Sequence, residues 1–115
     1  MRPSVVVPAE DDDNNADVDL RKLAEAYYYV GVDFYEGNGA EEQSFEEARE
    51  WFEKAANLGL AEAQNNLAFL HYEGKGGTQN YKKAKELYAK AAKQENKFAQ
   101  YTLGLMYYRG EGVEQ

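Results

Sequence analysis

Few residues of this chain are of types that perform covalent chemistry, and their surroundings direct them elsewhere. Cysteine is absent, which removes thiolate nucleophiles, Cys-based zinc sites and disulfides together. Of the two serines, Ser4 lies near the amino end and Ser44 stands three residues before Glu47. That spacing is a helix capping box, in which each residue satisfies the other's orphan amide. Neither serine opens a Ser-x-x-Lys arrangement. The single histidine, His71, cannot alone build the usual zinc site and is expected as a half-buried packing group. Asp11-x-Asp13-x-Asn15-x-Asp17-x-Asp19 has the alternating oxygens of a calcium loop, but Ala16 replaces its turn glycine and Lys22 its bidentate glutamate. The Gly-x-Gly pairs at 37–39, 74–76 and 110–112 follow helical patterns, which makes them turn formers rather than phosphate cradles. Carboxylates abound, yet no pair is set apart as acid and base. The expectation is no enzyme activity, no cofactor and no metal.

Charge and composition point to binding. The net charge is −8 over 115 residues. Residues 1–20 set Arg2 against Glu10, Asp11, Asp12, Asp13, Asp17 and Asp19, a net −5. An acidic chain is a poor general partner for nucleic acid. No run approaches the roughly 18 consecutive apolar residues of a membrane span. Met1–Pro8 holds three valines between two prolines, short of the roughly seven-residue apolar region of a secretory signal. No membrane partner is expected. The compartment is undetermined, with the cytoplasm as the default. The apolar 43% is mostly Ala, Tyr and Leu, a balance that favours helix.

The chain repeats itself. Ala63, Leu67, Tyr72, Gly74 and Gly76 recur 36 residues later as Ala99, Leu103, Tyr108, Gly110 and Gly112. Stepping back by 37 gives Ala26, Tyr35, Gly37 and Gly39, and Ala48, Phe52, Ala55 and Ala56 return as Ala84, Tyr88, Ala91 and Ala92. Each copy holds an A helix stopped by glycine, at Gly74 in the second copy, and a B helix entered through a cap, Ser44 or Asn80. Gly59 ends the first B helix. Helices of about 14 residues do not persist alone in water, so their order must come from stacking on neighbours. Gly31, Ala68 and Gly104 share one position, where a larger side chain would hold the paired helix away. Residues 1–18 are expected to be an acidic, flexible leader that caps the first helix through Asp17 or a neighbour. Residues 19–115 are expected to be the solenoid, with repeats over about 20–60, 61–96 and, incomplete, 97–115.

These residues resemble the Sel-one-like repeat (SLR) family, a relative of the tetratricopeptide repeats. The pattern runs through Ala99, Leu103-Gly104, Tyr107 and Gly110-Glu111-Gly112-Val113. The second copy carries Ala61-Glu62-Ala63, Leu67-Ala68, Gly74-Lys75-Gly76, Lys83-Ala84, Leu87-Tyr88 and Lys90-Ala91-Ala92. The first has Ala24-Glu25-Ala26, Gly31, Gly37-Asn38-Gly39, Ala48, Trp51-Phe52 and Lys54-Ala55-Ala56-Asn57-Leu58-Gly59. The family's helix-A tyrosine is Phe34 and His71 in the first two copies. Its terminal glycine is Glu95 in the second, where the adjacent Asn96 is able to take the left-handed conformation. The resemblance implies an all-α, right-handed α-α superhelix of about two and a half repeats, working as an adaptor between proteins.

In such a superhelix the A helices line the concave wall. Tyr28, Tyr29 and Val32, with Asn65, Asn66 and Phe69, and Tyr101, Thr102 and Leu105, are the expected partner-binding residues. Tyrosines and apolar groups there offer large contact area at low entropic cost. Lys82, Lys83, Lys85, Lys90 and Lys93 form a second candidate, for an anionic partner or the chain's own acidic segment. Seven lysines face two glutamates between Lys75 and Lys97, although charge runs usually mark a solvated face. The alternative role is a self-assembly module, a homo-oligomer stacked through the incomplete third repeat.

Overall fold

The computed structural model describes the backbone of residues 9–39 and 42–113, and side chains from residue 15 onward. Its helices are α1 (Ala9–Glu36), α2 (Phe45–Asn57), α3 (Ala61–Glu73), α4 (Tyr81–Lys93) and α5 (Lys97–Arg109), with no strand among the described residues. Contacts run almost wholly between helices that follow one another in the chain, which is the packing of a solenoid. α1 and α3 are the A helices of two helical hairpins, α2 and α4 their B helices, and α5 is a third A helix.

The core follows the repeat. Ala48, Phe52 and Ala55 of α2 and Ala84, Tyr88 and Ala91 of α4 are buried, and Ala63, Leu67, Ala68 and Leu70 of α3 lie between them. The small residues admit the rings. A methyl group on Gly31 would sit 2.6 Å from the Phe52 ring. Ala68 is fully buried in the second hairpin. Gly104 differs from both, because nothing lies within 4 Å of its would-be Cβ. No B helix crosses α5 among the described residues, so the expected close-packing role is absent at 104.

Each B helix is capped as its sequence suggests. Ser44 Oγ accepts from Glu47 N at 3.1 Å and Asn80 Oδ1 from Lys83 N at 2.9 Å. The reciprocal half of the capping box is not made, since Ser44 N already donates to Phe34 O at 2.8 Å. Gly59 (φ 94°) ends α2 and Glu95 (φ 66°) ends α4, both in the left-handed region. Asn96 does not take that conformation. At φ −72° it caps α5, accepting from Ala99 N on Oδ1; the amide acceptor is more useful there than a left-handed backbone.

Helix α1 begins at Ala9, well before the start expected near residue 19. Asp17 lies inside it rather than at its cap. Once a helix is nucleated each added residue gains a hydrogen bond, and no proline stands between Pro8 and Glu36 to stop it. The side chains from Asn15 to Leu23 are exposed; Ala24 is the first buried in the core.

Successive repeats are locked through their loops. A methyl on Gly112 would meet Tyr81 O at 2.7 Å, and one on Gly76 would collide with Phe45 O. The second glycine of the later two Gly-x-Gly pairs, Gly76 and Gly112, therefore lets the loop of one repeat lie on the preceding B helix. Arg49 reinforces the first junction: its Nη2 donates to Leu70 O at 3.1 Å and to Lys75 O at 3.0 Å. Those carbonyls close the end of α3, where a cation is favoured by the helix dipole.

Candidate functional site

The A helices bring a cleft of about 290 Å³ between α3 and α5, lined by Tyr35, Asn65, Asn66, Phe69, Tyr88, Phe98 and Thr102. Four of the expected partner-binding residues, Asn65, Asn66, Phe69 and Thr102, therefore share one concavity. Tyr28 and Val32 instead pack against the core, with the Tyr28 ring 5.7 Å from that of Phe52. Tyr29 is exposed and meets Tyr28 edge-on at 5.3 Å. Tyr101 is 70% exposed and Leu105 half-buried, and neither lines the cleft.

Polar groups along the cleft form a chain with one loose end. Asn66 lies close enough to the Tyr28 hydroxyl to favour its ionised form, and Asn65 Nδ2 donates to Asn66 Oδ1 at 3.4 Å. That leaves Asn65 Oδ1 buried without a donor. Burial holds the Tyr28 hydroxyl above its ordinary range, with Glu62 and Glu36 adding to the effect against that of Asn66. The buried Tyr88 is raised further, first by burial and then by Tyr72 and Glu73, against a smaller opposing effect of Thr102. Both phenols are protonated across the physiological range.

Sequence reasoning missed Tyr35, Tyr88 and Phe98. Phe98 stands where the earlier copies carry Glu25 and Glu62, and it is 77% exposed. A solitary phenylalanine at an outer, otherwise acidic position was a legible signal. Tyr35 and Tyr88 carry core-like repeat spacing, which hides their second role as walls.

A larger open hollow of about 820 Å³ lies where the α2–α3 and α4–α5 turns face Asp17, Leu20 and Arg21 of α1. One of its walls is the exposed stretch of α1, and Phe98 lines both this hollow and the cleft.

The lysine candidate is split by the structure. Lys82, Lys90 and Lys93 are exposed, whereas Lys83 and Lys85 are half-buried. Lys85 Nζ lies 5.4 Å from the Tyr107 ring centroid, the repeat's counterpart of Arg49 Nη1 beside His71 Nδ1 at 3.3 Å. The single ion pair found among the described residues is Arg21–Glu25 at 3.4 Å, so these lysines hold no carboxylate there. His71 is half-buried as expected. Burial first, then Arg49 and Lys83, push its imidazole down to about 4. No group of three or more His, Asp or Glu able to hold a metal ion occurs among the described residues, and no described helix is long and apolar enough to cross a membrane.

A Sel1 repeat protein from Oxalobacter formigenes, solved by crystallography, superposes with a TM-score of 0.74 at 34% identity, over 79% of this chain and 37% of that one. The protective antigen c5321 of uropathogenic Escherichia coli, which displays an SLR fold, gives 0.77 at 31% identity, over 81% of this chain and 20% of that one. This chain thus spans well under half the length of either protein. A search of curated proteins gave no match. Sel1 repeat proteins generally mediate protein–protein interaction and are typically non-catalytic scaffolds. The Sel1 repeat model matches residues 24–60, 61–96 and 97–115 in turn, and the chain belongs to the Sel1 repeat family.

Proposed function

We propose that this chain is a non-catalytic adaptor that holds a segment of another protein along its A-helix face, seated in the cleft between α3 and α5. The supporting observation is the convergence there of Phe69, Phe98 and the Asn65–Asn66 pair, with one amide oxygen left without a donor. Aromatic walls supply contact area, and a few placed polar groups fix orientation. The test is selection of a random displayed heptapeptide library on the chain, followed by nitrogen-15 NMR mapping of the selected peptides. Shifts gathered on Asn65, Phe69, Phe98 and Thr102 are expected. Shifts confined to Lys82, Lys90 and Lys93 would instead assign binding to the lysine surface.

A second reading, self-assembly, draws on the outer face of α5. Tyr101 and Tyr108 are 70% and 88% exposed, on either side of the open notch at Gly104. Ala92 and Leu103 line an adjoining hollow of about 490 Å³. In this reading a helix from a second copy covers the face. Mass measured across a dilution series decides it, since a monomer at every concentration removes it.

A further inference from the structure

The unmet needs of the cleft point to a particular kind of side chain. Its polar lining leaves an acceptor open: Asn65 Oδ1 has no donor, while Asn65 Nδ2 is already engaged with Asn66 Oδ1. That oxygen belongs to a residue that lines the cleft, on a terminal torsion with a broad range. An apolar occupant would leave it unpaired, as in the free chain, and only a donor would gain the hydrogen bond it lacks. A carboxylate would set lone pair against lone pair.

The walls and the field agree with a donor. Phe69 and Phe98, with Tyr35 and Tyr88, supply ring surface to a cation, the arrangement that attracts ammonium and guanidinium groups. No lysine or arginine lines the cleft. The carboxylates of Glu36, Glu62 and Glu73 lie close enough to act on Tyr28 and Tyr88. Lys75 is the one cation placed on a wall residue, with Nζ 5.3 Å from the Phe69 centroid. Its Nζ is shared with the Phe45 ring at 5.1 Å and it sits outside the cleft lining, so an incoming cation meets it across the Phe69 ring while the three carboxylates offset its charge.

We propose that the cleft is a subsite for one basic side chain, the lysine or arginine of a bound protein segment, held over Phe69 and Phe98 with its N–H donated to Asn65 Oδ1. This rests on the reading of the A-helix cleft as the binding site. A volume of about 290 Å³ lies at the small end of ligand pockets, ~300–1,000 Å³, and suits one side chain rather than a folded element.

The probes are four blocked heptapeptides, Gly-Ala-Ala-X-Ala-Ala-Gly, with X as Lys, Arg, Leu or Glu, titrated into the nitrogen-15-labelled chain. Lys and Arg peptides are expected to shift Asn65, Phe69, Phe98 and Thr102 and to bind more tightly than the Leu peptide. The Glu peptide is expected to bind weakest, and the Lys preference to shrink with added salt. Phe98→Ala, at an exposed position, is expected to weaken the Lys peptide about two- to five-fold. Asn65→Asp, which differs by one atom group and adds charge, is expected to strengthen it. Equal binding of Leu and Lys peptides in the cleft would overturn the basic preference and leave the cleft standing as a binding site. Lys and Arg peptides that shift nothing at millimolar concentration, or shift only residues outside the cleft, would also overturn it. The library selection then judges the cleft separately.

Discussion

Positions 31 and 104 are equivalent in the repeat, yet a methyl group would meet opposite fates there. On Gly31 it enters the Phe52 ring at 2.6 Å, and on Gly104 it meets nothing within 4 Å. Gly31→Ala is therefore expected to lower stability by about 1–3 kcal/mol through overpacking. Gly104→Ala keeps only the helix-propensity gain, up to about 1 kcal/mol. Thermal melts of the two variants read the opposite signs directly. His71 makes a pH prediction. Its folded-state value of about 4 lies below the unfolded value of roughly 6.5, so the unfolded chain takes up the proton first. The His71 contribution is then intact above about 6.5, is lost as pH falls through 4, and changes little below. Urea melts of His71→Gln and the parent between pH 7 and 4 are expected to converge as the pH falls. A His71 resonance that titrates near 6.5 would contradict this.

At the scale of elements, the loops couple the repeats as much as the helices do. Gly76 needs both a left-handed backbone, at φ 76°, and room beside Phe45 O. Gly39 has a similar φ of 63° and nothing near its would-be Cβ. Gly39→Ala is expected to cost only the left-handed strain, about 1–2 kcal/mol, and Gly76→Ala measurably more by chemical denaturation. Helix α1 makes a different prediction. Its exposed stretch from Asn15 to Leu23 lacks a core beneath it, and lone helix is marginal. We propose that this stretch opens readily, as an acidic leader would. Its amides are expected to exchange with solvent much faster than those from Ala24 to Phe34. Helix period, glycine stops and the caps at Ser44 and Asn80 were legible in the sequence because they depend on neighbours within four residues. The beginning of α1, the left-handed Glu95 and the Ser44 N–H bond to Phe34 O were not, because each depends on what lies next to the segment in space. The cleft was half legible for the same reason. Asn65, Asn66, Phe69 and Thr102 follow the A-helix face and Phe98 breaks an acidic position, whereas Tyr35 and Tyr88 keep the repeat spacing of core residues, which hides their place in the cleft.

At the scale of the molecule, the radius of gyration is 17.6 Å, against about 13 Å for a compact chain of this size. The shape is that of stacked hairpins with a long first helix, and it gives a modest domain an extended A-helix face. Buried side chains along the repeat hold that face in place. What the face presents is set by residues that break the repeat: Phe98 in an acidic position, and an asparagine pair where the first copy has two tyrosines. On the proposed reading these departures serve binding. A crystal structure of the chain with a library-selected peptide tests this most directly. The peptide is expected between Phe69 and Phe98, with a donor on Asn65 Oδ1. A peptide seated on the outer lysines of α4, or across Tyr101 and Tyr108, would contradict it.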